Sequence, residues 1–236
     1  MVKSREHVLD DWEIELMLNS PMNFEEKICY HLLFFSGMRI GEAIHLKKSW
    51  IKNGKVIKIP EKQECNCSYC KRQFNKKKKR YLLAKKKFLN LKNPTEKEIK
   101  SFEKRESDWL KIKDLQGYWL PKTDKAIRPI PIRKELNEIL KDIFTKTNSV
   151  MNIIKTPSTW RAIIQNHYEK YLKDKLEHYI CPHILRATYA SLLASTDYTS
   201  AELKAEMGWA NISVADEYLR LHSISTKAND VKFRGR

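Results

Sequence analysis

The sequence predicts an α+β fold, mainly helical, with a small antiparallel β-sheet. Apolar residues recur at helical spacing through most of the chain, most densely in FEEKICYHLLFF (Phe24–Phe35). An Asn53-Gly54 pair stands between β-branched runs, the chemistry of a two-residue type I′ hairpin. Downstream, Tyr118–Leu120 and Ile127–Ile132 (IRPIPI) read as two more strands of the same sheet, with PKTDKA as the turn between them.

In chain order, the first helix is expected at Val8–Met17, with an acidic first turn, and Asn19-Ser20-Pro21 breaks it. Phe24–Phe35 is too apolar to be exposed and belongs at the centre of the core. Ser36-Gly37 interrupts it. Met38–Leu46 resumes as helix with Met38, Ile40, Ala43 and Ile44 inward, which leaves Arg39 and Glu42 together on another face. The hairpin spans Trp50–Pro60. Helices follow the strands at Lys134–Phe144, Ser158–Leu172 and Pro182–Ala194. Ser200–Met207 is a short helix whose Thr199 and Glu202 form a capping box. Ser213–Leu221 is the last clear helix, and Ser223–Arg236 is a polar, basic tail without an apolar stripe.

Glu61–Leu115 interrupts the sheet. It opens with Cys65-Asn66-Cys67-Ser68-Tyr69-Cys70 and continues through Lys76, Lys77, Lys78, Lys79, Arg80 and Lys85, Lys86, Lys87. It closes with a helix at Pro94–Lys113, with Asn93 as N-cap and Pro94 at the first helical position. Residues 71–113 hold 17 Lys and Arg against 5 Asp and Glu, a net +12 of the chain's +17. A solvated helix face usually mixes signs, and here the acids are absent until Glu96, which points to phosphate contact. No Gly/Ser linker isolates the segment. The expected organisation is therefore one domain over residues 1–222, carrying the basic, Cys-containing insertion 61–115, and a tail at 223–236.

A charge of +17 on 236 residues concentrates phosphate polyanions and makes nucleic acid the expected partner. A basic ribosomal-type or membrane-surface protein is the plainer alternative. No stretch approaches the ~18 apolar residues of a membrane helix, and the charged start MVKSREHVLDDW does not read as a signal peptide. Five cysteines, three within six positions, do not read as a secreted disulfide framework. The expected setting is intracellular and cytoplasmic, with no membrane.

Arg39 and Arg186 lie in or beside apolar helices, where a guanidinium needs a partner. His183 stands three residues before Arg186. Two arginines and a histidine suit a phosphate clamp, because the planar fork matches two phosphate oxygens. Tyr218 adds a phenol, whose proton (pKa roughly 10) must pass to a base as it attacks. Each residue also has a plainer reading. Arg39 would pair with Glu42, His183 would open a helix, Trp209 would pack, and Tyr218 would be a core aromatic beside Ala215 and Leu219.

These pieces resemble a known family. SGMRIGEAIHL (Ser36–Leu46) looks like the first arginine box of the tyrosine recombinases, the phage-integrase family. His183-Ile184-Leu185-Arg186 resembles its HxLR box. Met207-Gly208-Trp209 resembles its LGH/W element, with Met in place of Leu. Tyr218, nine residues after Trp209, lies at the distance of the family's nucleophile. Lys122 resembles the lysine of the family's hairpin turn, with Lys125 as a rival in the same turn. Ala187 stands where relatives often carry a second His. The resemblance covers roughly residues 5–222 apart from the insertion, with four boxes in order.

What the resemblance implies is a tyrosine-recombinase-like catalytic domain that cuts and rejoins duplex DNA. Tyr218 would form a 3′-phosphotyrosyl bond and release a 5′-hydroxyl, with His183 assisting and Lys122 as acid for the leaving oxygen. Arg39 and Arg186 would hold the phosphate, Trp209 would add packing and an indole N–H, and Glu42 would orient an arginine or His183. The chemistry would need no cofactor. Such enzymes work as tetramers on two DNA sites, and the free protein would be monomeric. A type IB topoisomerase-like nicking-closing enzyme and a catalytically inactive, regulatory DNA-binding protein are the alternatives. The family places a helical DNA-clamping domain before the first arginine box. The chain is therefore either part of a longer protein or a minimal recombinase whose basic insertion replaces the clamp. Cys65, Cys67 and Cys70 either hold a structural zinc, with His45 or an insertion residue as fourth ligand, or are free thiols. Some archaeal integrases look similar here, which implies an archaeal virus or plasmid origin.

Overall fold

Helix α2 (Phe24–Ser36) is the centre of the larger of two units in this computed structural model, which describes residues 8–176 and 178–230, with side chains described as far as Leu221. One unit comprises the described residues up to Glu61 and from Pro121 onward; the other is Lys62–Leu120. Among the described residues, no helix is long and apolar enough to cross a membrane.

In the larger unit, α1 (Asp11–Asn19) starts later than Val8, because Asp10 is the cap and Glu13 accepts its N–H at 3.0 Å. Asn23 and Glu26 cap α2 in the same reciprocal way. Ile28, Cys29, Tyr30, Leu32, Leu33 and Phe34 are all buried. Gly37, at φ +57, ends α2 in the left-handed conformation that glycine adopts without strain. Helix α3 (Ile40–His45) is shorter than the Met38–Leu46 expectation, and Arg39 is its N-cap rather than a residue inside it. Ile40 is only half-buried, while Met38, Ala43 and Ile44 are in the core.

Strands β1 (Ile51–Lys52), β2 (Val56–Lys58) and β5 (Pro129–Pro131) form an antiparallel sheet in the order β1-β2-β5. Asn53 and Gly54 both have positive φ, as the type I′ reading requires. Lys52 pairs with Val56, so Lys55 stays outside the ladder and the connection is one residue longer than expected. Ile57 pairs with Ile130, and both are fully buried. The segment read as a turn, PKTDKA, contains a 3₁₀ turn at Asp124–Ala126.

One strand pairs elsewhere. Strand β4 (Tyr118–Trp119) joins β3 (Gln63–Glu64) in a second, two-stranded sheet, not the sheet of IRPIPI. Both strands belong to the smaller unit, which continues as helices α4 (Ser68–Leu89) and α5 (Glu96–Leu110). Helix α5 begins after Thr95, not Asn93, because Thr95 and Glu98 make a capping box that leaves Pro94 outside. Phe74, Tyr81 and Phe88 are spaced by seven on α4, as are Phe102 and Trp109 on α5. Trp109 packs on Phe74 and Tyr81, and Phe102 on Phe88, so the helices run antiparallel. Lys76, Lys77, Lys78, Lys79, Arg80, Lys85, Lys86 and Lys87 are all exposed on α4.

The larger unit is completed by α6 (Lys134–Lys146), α7 (Pro157–Tyr171), α8 (Pro182–Ala194), α9 (Ser200–Met207) and α10 (Ser213–Asp230). Trp160 of α7 donates its indole N–H to the Cys29 carbonyl at 3.3 Å, which ties α7 to α2. Helix α10 extends beyond the expected end at Leu221. The side chains of the expected tail lie outside those described.

Gly37 controls how closely α2 approaches α8. A Cβ there would lie 2.5 Å from Tyr189 Cδ1, at a positive φ. Gly37→Ala is expected to cost roughly 2–5 kcal/mol, adding a left-handed penalty of ~1–2 to an overpacking penalty of ~1–3. Urea unfolding should show a lowered midpoint at unchanged slope.

Candidate active site

The site grows from a buried carboxylate. Glu42, 2% exposed, is the third residue of α3 and accepts the Arg39 backbone N–H at 2.9 Å, closing the first turn. Arg128 Nη2 donates to that same oxygen, Oε2, at 3.1 Å, and the other, Oε1, accepts Arg39 Nη1 at 2.9 Å. Burial alone would raise its pKa. The Arg128, Arg186 and Arg39 charges reverse that and hold it below the usual carboxylate range.

Three arginines converge on the C-terminal end of α9. The last carbonyls of a helix have no partner within it and carry the negative end of its dipole. Here each of three consecutive carbonyls accepts from a different arginine. Arg128 Nε donates to Glu206 O at 2.5 Å, Arg186 Nη2 donates to Met207 O, and Arg39 Nη2 donates to Gly208 O at 2.9 Å. Arg186 also donates to the Gly37 carbonyl, and Arg128 to Ala126 O at 3.1 Å. Gly208 ends the helix at φ +63, and a Cβ there would sit 2.8 Å from Lys125 O and 2.9 Å from Arg128 Cδ. Glycine is the residue that fits.

Helix α9 is held in turn by Glu206. Its carboxylate takes Arg133 at 2.8 Å and the hydroxyls of Tyr189 and Tyr198. The Arg186 guanidinium is buried, and burial with Arg128 and Arg39 beside it lowers its pKa to about 9. Such crowding of like charge favours the arrival of an anion.

His183 occupies the first turn of α8 and is solvent-accessible. Partial desolvation, then the charges of Arg161, Arg186, Lys122 and Arg39, lower its pKa, which favours the neutral imidazole. Of the two candidate lysines, Lys122 is the one whose charge acts on His183. Lys125 instead brings its carbonyl to Gly208. Trp209 and Tyr218 stack face to face, with centroids 5.3 Å apart and planes 9° from parallel. Tyr218 is 5% exposed, packed among Ala187, Ala190, Met207 and Ala215, yet its hydroxyl lies within electrostatic reach of Arg186.

The structure thus brings together Arg39, Glu42, Lys122, His183, Arg186, Trp209 and Tyr218 in one unit. The basic residues 76–80 and 85–87 and the three cysteines belong to the other. Sequence reasoning missed Arg128 and Arg161. Arg128 had a visible signal: it is the charged residue two positions before the inward-facing Ile130 in IRPIPI, on the same strand face.

Arg128→Met removes one partner of a buried ion pair and is expected to cost roughly 3–5 kcal/mol. Arg128→Lys should recover little of this, because an ammonium cannot reach the Glu42 carboxylate and the Ala126 and Glu206 carbonyls as a planar fork does. Chemical unfolding of both variants measures the difference.

The model of the phage integrase family matches residues 7–223. Among solved structures, the chain is similar to the Tn1549 transposon integrase in complex with transposon right end DNA, with a TM-score of 0.60 at 14% identity, covering 97% of this chain and 67% of that one. It is similar to the XerA recombinase, with a TM-score of 0.58 at 14% identity over 98% of this chain and 64% of that one. It is also similar to the XerH site-specific recombinase bound to a palindromic difH substrate, with a TM-score of 0.55 at 14% identity over 97% and 53%. The chain therefore spans about half to two thirds of the length of these proteins, and at these identities the likeness is one of fold. Curated proteins give no match. A family model that matches nearly the whole chain, on the fold its members share, makes this chain a member of the phage integrase family, the tyrosine recombinases.

Proposed function

We propose that the chain is a site-specific DNA recombinase that breaks and rejoins duplex DNA through a 3′-phosphotyrosyl intermediate. The carrying observation is the cluster of three guanidinium groups around one buried carboxylate, with His183 and Lys122 in the same field and a tyrosine within its reach.

In this reading a backbone phosphate binds against Arg39, whose side chain is 24% exposed, with Arg186 behind it. Tyr218 Oη attacks phosphorus and passes its proton to neutral His183. The bond from phosphorus to the 5′-oxygen breaks, its electron pair stays on that oxygen, and Lys122 supplies the proton. The charge that grows on the non-bridging oxygens meets guanidinium groups already held in place, which is where fixed electrostatics lower a barrier most. A 5′-hydroxyl of another strand reverses the step. The phosphodiester energy stays in the tyrosyl link throughout, so the chemistry calls for no nucleotide or metal. Glu42 is a positioning residue, since it touches Arg39 and Arg128.

Duplex DNA is the proposed partner, and the exposed basic face of α4 supplies phosphate contacts outside the active site. Assembly as a tetramer on two DNA sites, from a free monomer, belongs to the same proposal. So does an archaeal virus or plasmid origin, which the cysteine-bearing insertion supports.

Tyr218→Phe should abolish covalent protein–DNA adduct on a nicked suicide substrate while leaving DNA affinity within about twofold. A wild-type protein that forms no adduct would end the reading. The pH dependence carries a sign. With its pKa lowered below the ordinary 6.5, His183 stays neutral to lower pH than a free imidazole. At sub-saturating DNA, where the rate reports the free enzyme, adduct formation should fall on acidification with a midpoint below that of a free imidazole. His183→Asn should be slower and lack that acid limb.

A further inference from the structure

The smaller unit has almost no core. Among the described residues of Lys62–Leu120, the buried side chains are Cys65, Cys70 and Trp119. The α4–α5 hairpin is joined by half-exposed aromatics, and β3–β4 has two residues per strand. Units shorter than roughly 70–80 residues seldom hold together on apolar burial alone, and those with cores this small are commonly stapled by a metal or disulfides. The candidates for a staple stand at the base of the hairpin.

There, the Sγ atoms of Cys65, Cys67 and Cys70 all lie within 4.8 Å of one another. Three sulfurs around one tetrahedral zinc, each at ~2.3 Å, would be about 3.8 Å apart, so small side-chain rotations close the set. The backbone is arranged to present them. Cys65 leaves β3 with its N–H on the Gly117 carbonyl at 2.7 Å, which pins the strand end to the opposite turn. Gly117, at φ +91, makes that turn. Cys67 is the N-cap of α4, and its sulfur accepts the Cys70 N–H at 3.3 Å. An odd number of thiols converging on one point leaves one over for any disulfide, whereas it serves a cation as it stands.

We propose that Cys65, Cys67 and Cys70 form a structural zinc site that fastens the two-stranded sheet to the first turn of α4. The chemistry of the donors selects the metal, since thiolates are soft ligands and a closed structural site needs no redox activity. The three thiols release their protons on binding, and a ligand outside the knuckle completes the tetrahedron. The site is separate from the proposed chemistry, which does not use it.

The test is metal content by mass spectrometry of the whole chain, purified under reducing conditions without added metal or chelator. About one zinc per chain is expected, and none in Cys65→Ser/Cys67→Ser/Cys70→Ser. Should that variant fold poorly, cadmium titration of the chelated wild type gives an independent reading. A thiolate-to-cadmium charge-transfer band should rise and saturate near one equivalent. Amide exchange in the first turn of α4 should quicken on chelation and recover with zinc. A zinc content near zero together with no charge-transfer band overturns the proposal. Zinc retained at full stoichiometry in the triple variant overturns it equally, since the metal would then sit elsewhere.

Discussion

The C-terminal carbonyls of α9 hold the candidate active site together. Residues 206, 207 and 208 come from one helix end, and the arginines they bind come from three other places in the chain: the start of α3, the approach to β5 and the second turn of α8. Each bond pairs a positive group with a helix end that carries partial negative charge. The arrangement solves two problems together. It satisfies carbonyls that a buried helix end would leave unpaired, and it fixes three cations side by side before any phosphate is present. Glu42 offsets part of the repulsion among them from the opposite side, and Glu206 anchors the helix that carries the carbonyls. The basic charge of the site is thus structural before it is chemical.

Much of this was legible in the sequence because it is local. Thr199 and Glu202 announce α9, Pro182 sits at the start of α8, and Asn53-Gly54 adopts positive φ at both positions. The same local rules misplaced boundaries where two caps competed. Asn93-Pro94 looked like a helix start, but Thr95 with Glu98 satisfies two amides reciprocally and wins. The candidate site residues Arg39, His183, Arg186, Trp209 and Tyr218 were legible as boxes in the sequence. Arg128 was not, because its role comes from partners 86 and 78 residues away in sequence. Strand pairing escaped for a similar reason. Tyr118–Trp119 has strand chemistry, but no local signal says that its partner is Gln63–Glu64 rather than the nearer Pro129–Pro131.

The basic insertion shows the opposite failure. Its lysines are so dense that they hid a regular pattern beneath them. Phe74, Tyr81 and Phe88 recur every seven residues, a spacing that returns to one helix face after two turns. With Phe102 and Trp109 they make a hairpin held by ring stacking rather than by a buried aliphatic core. Such a seam leaves most of each helix surface to solvent. That suits a segment covered in ammonium groups, because long lysine stems can lie along the rings while their heads stay hydrated.

The stack of Trp209 on Tyr218 links the two halves of the site mechanically. Trp209 follows Gly208 directly, and Gly208 O is the acceptor for Arg39. An incoming anion that draws Arg39 toward itself competes with that carbonyl, and so loosens the seat of the indole that shelters the phenol. Ligand occupancy and exposure of the Tyr218 phenol would then be two ends of one equilibrium. By reciprocity, whatever frees the tyrosine must tighten the grip on the anion by the same free energy.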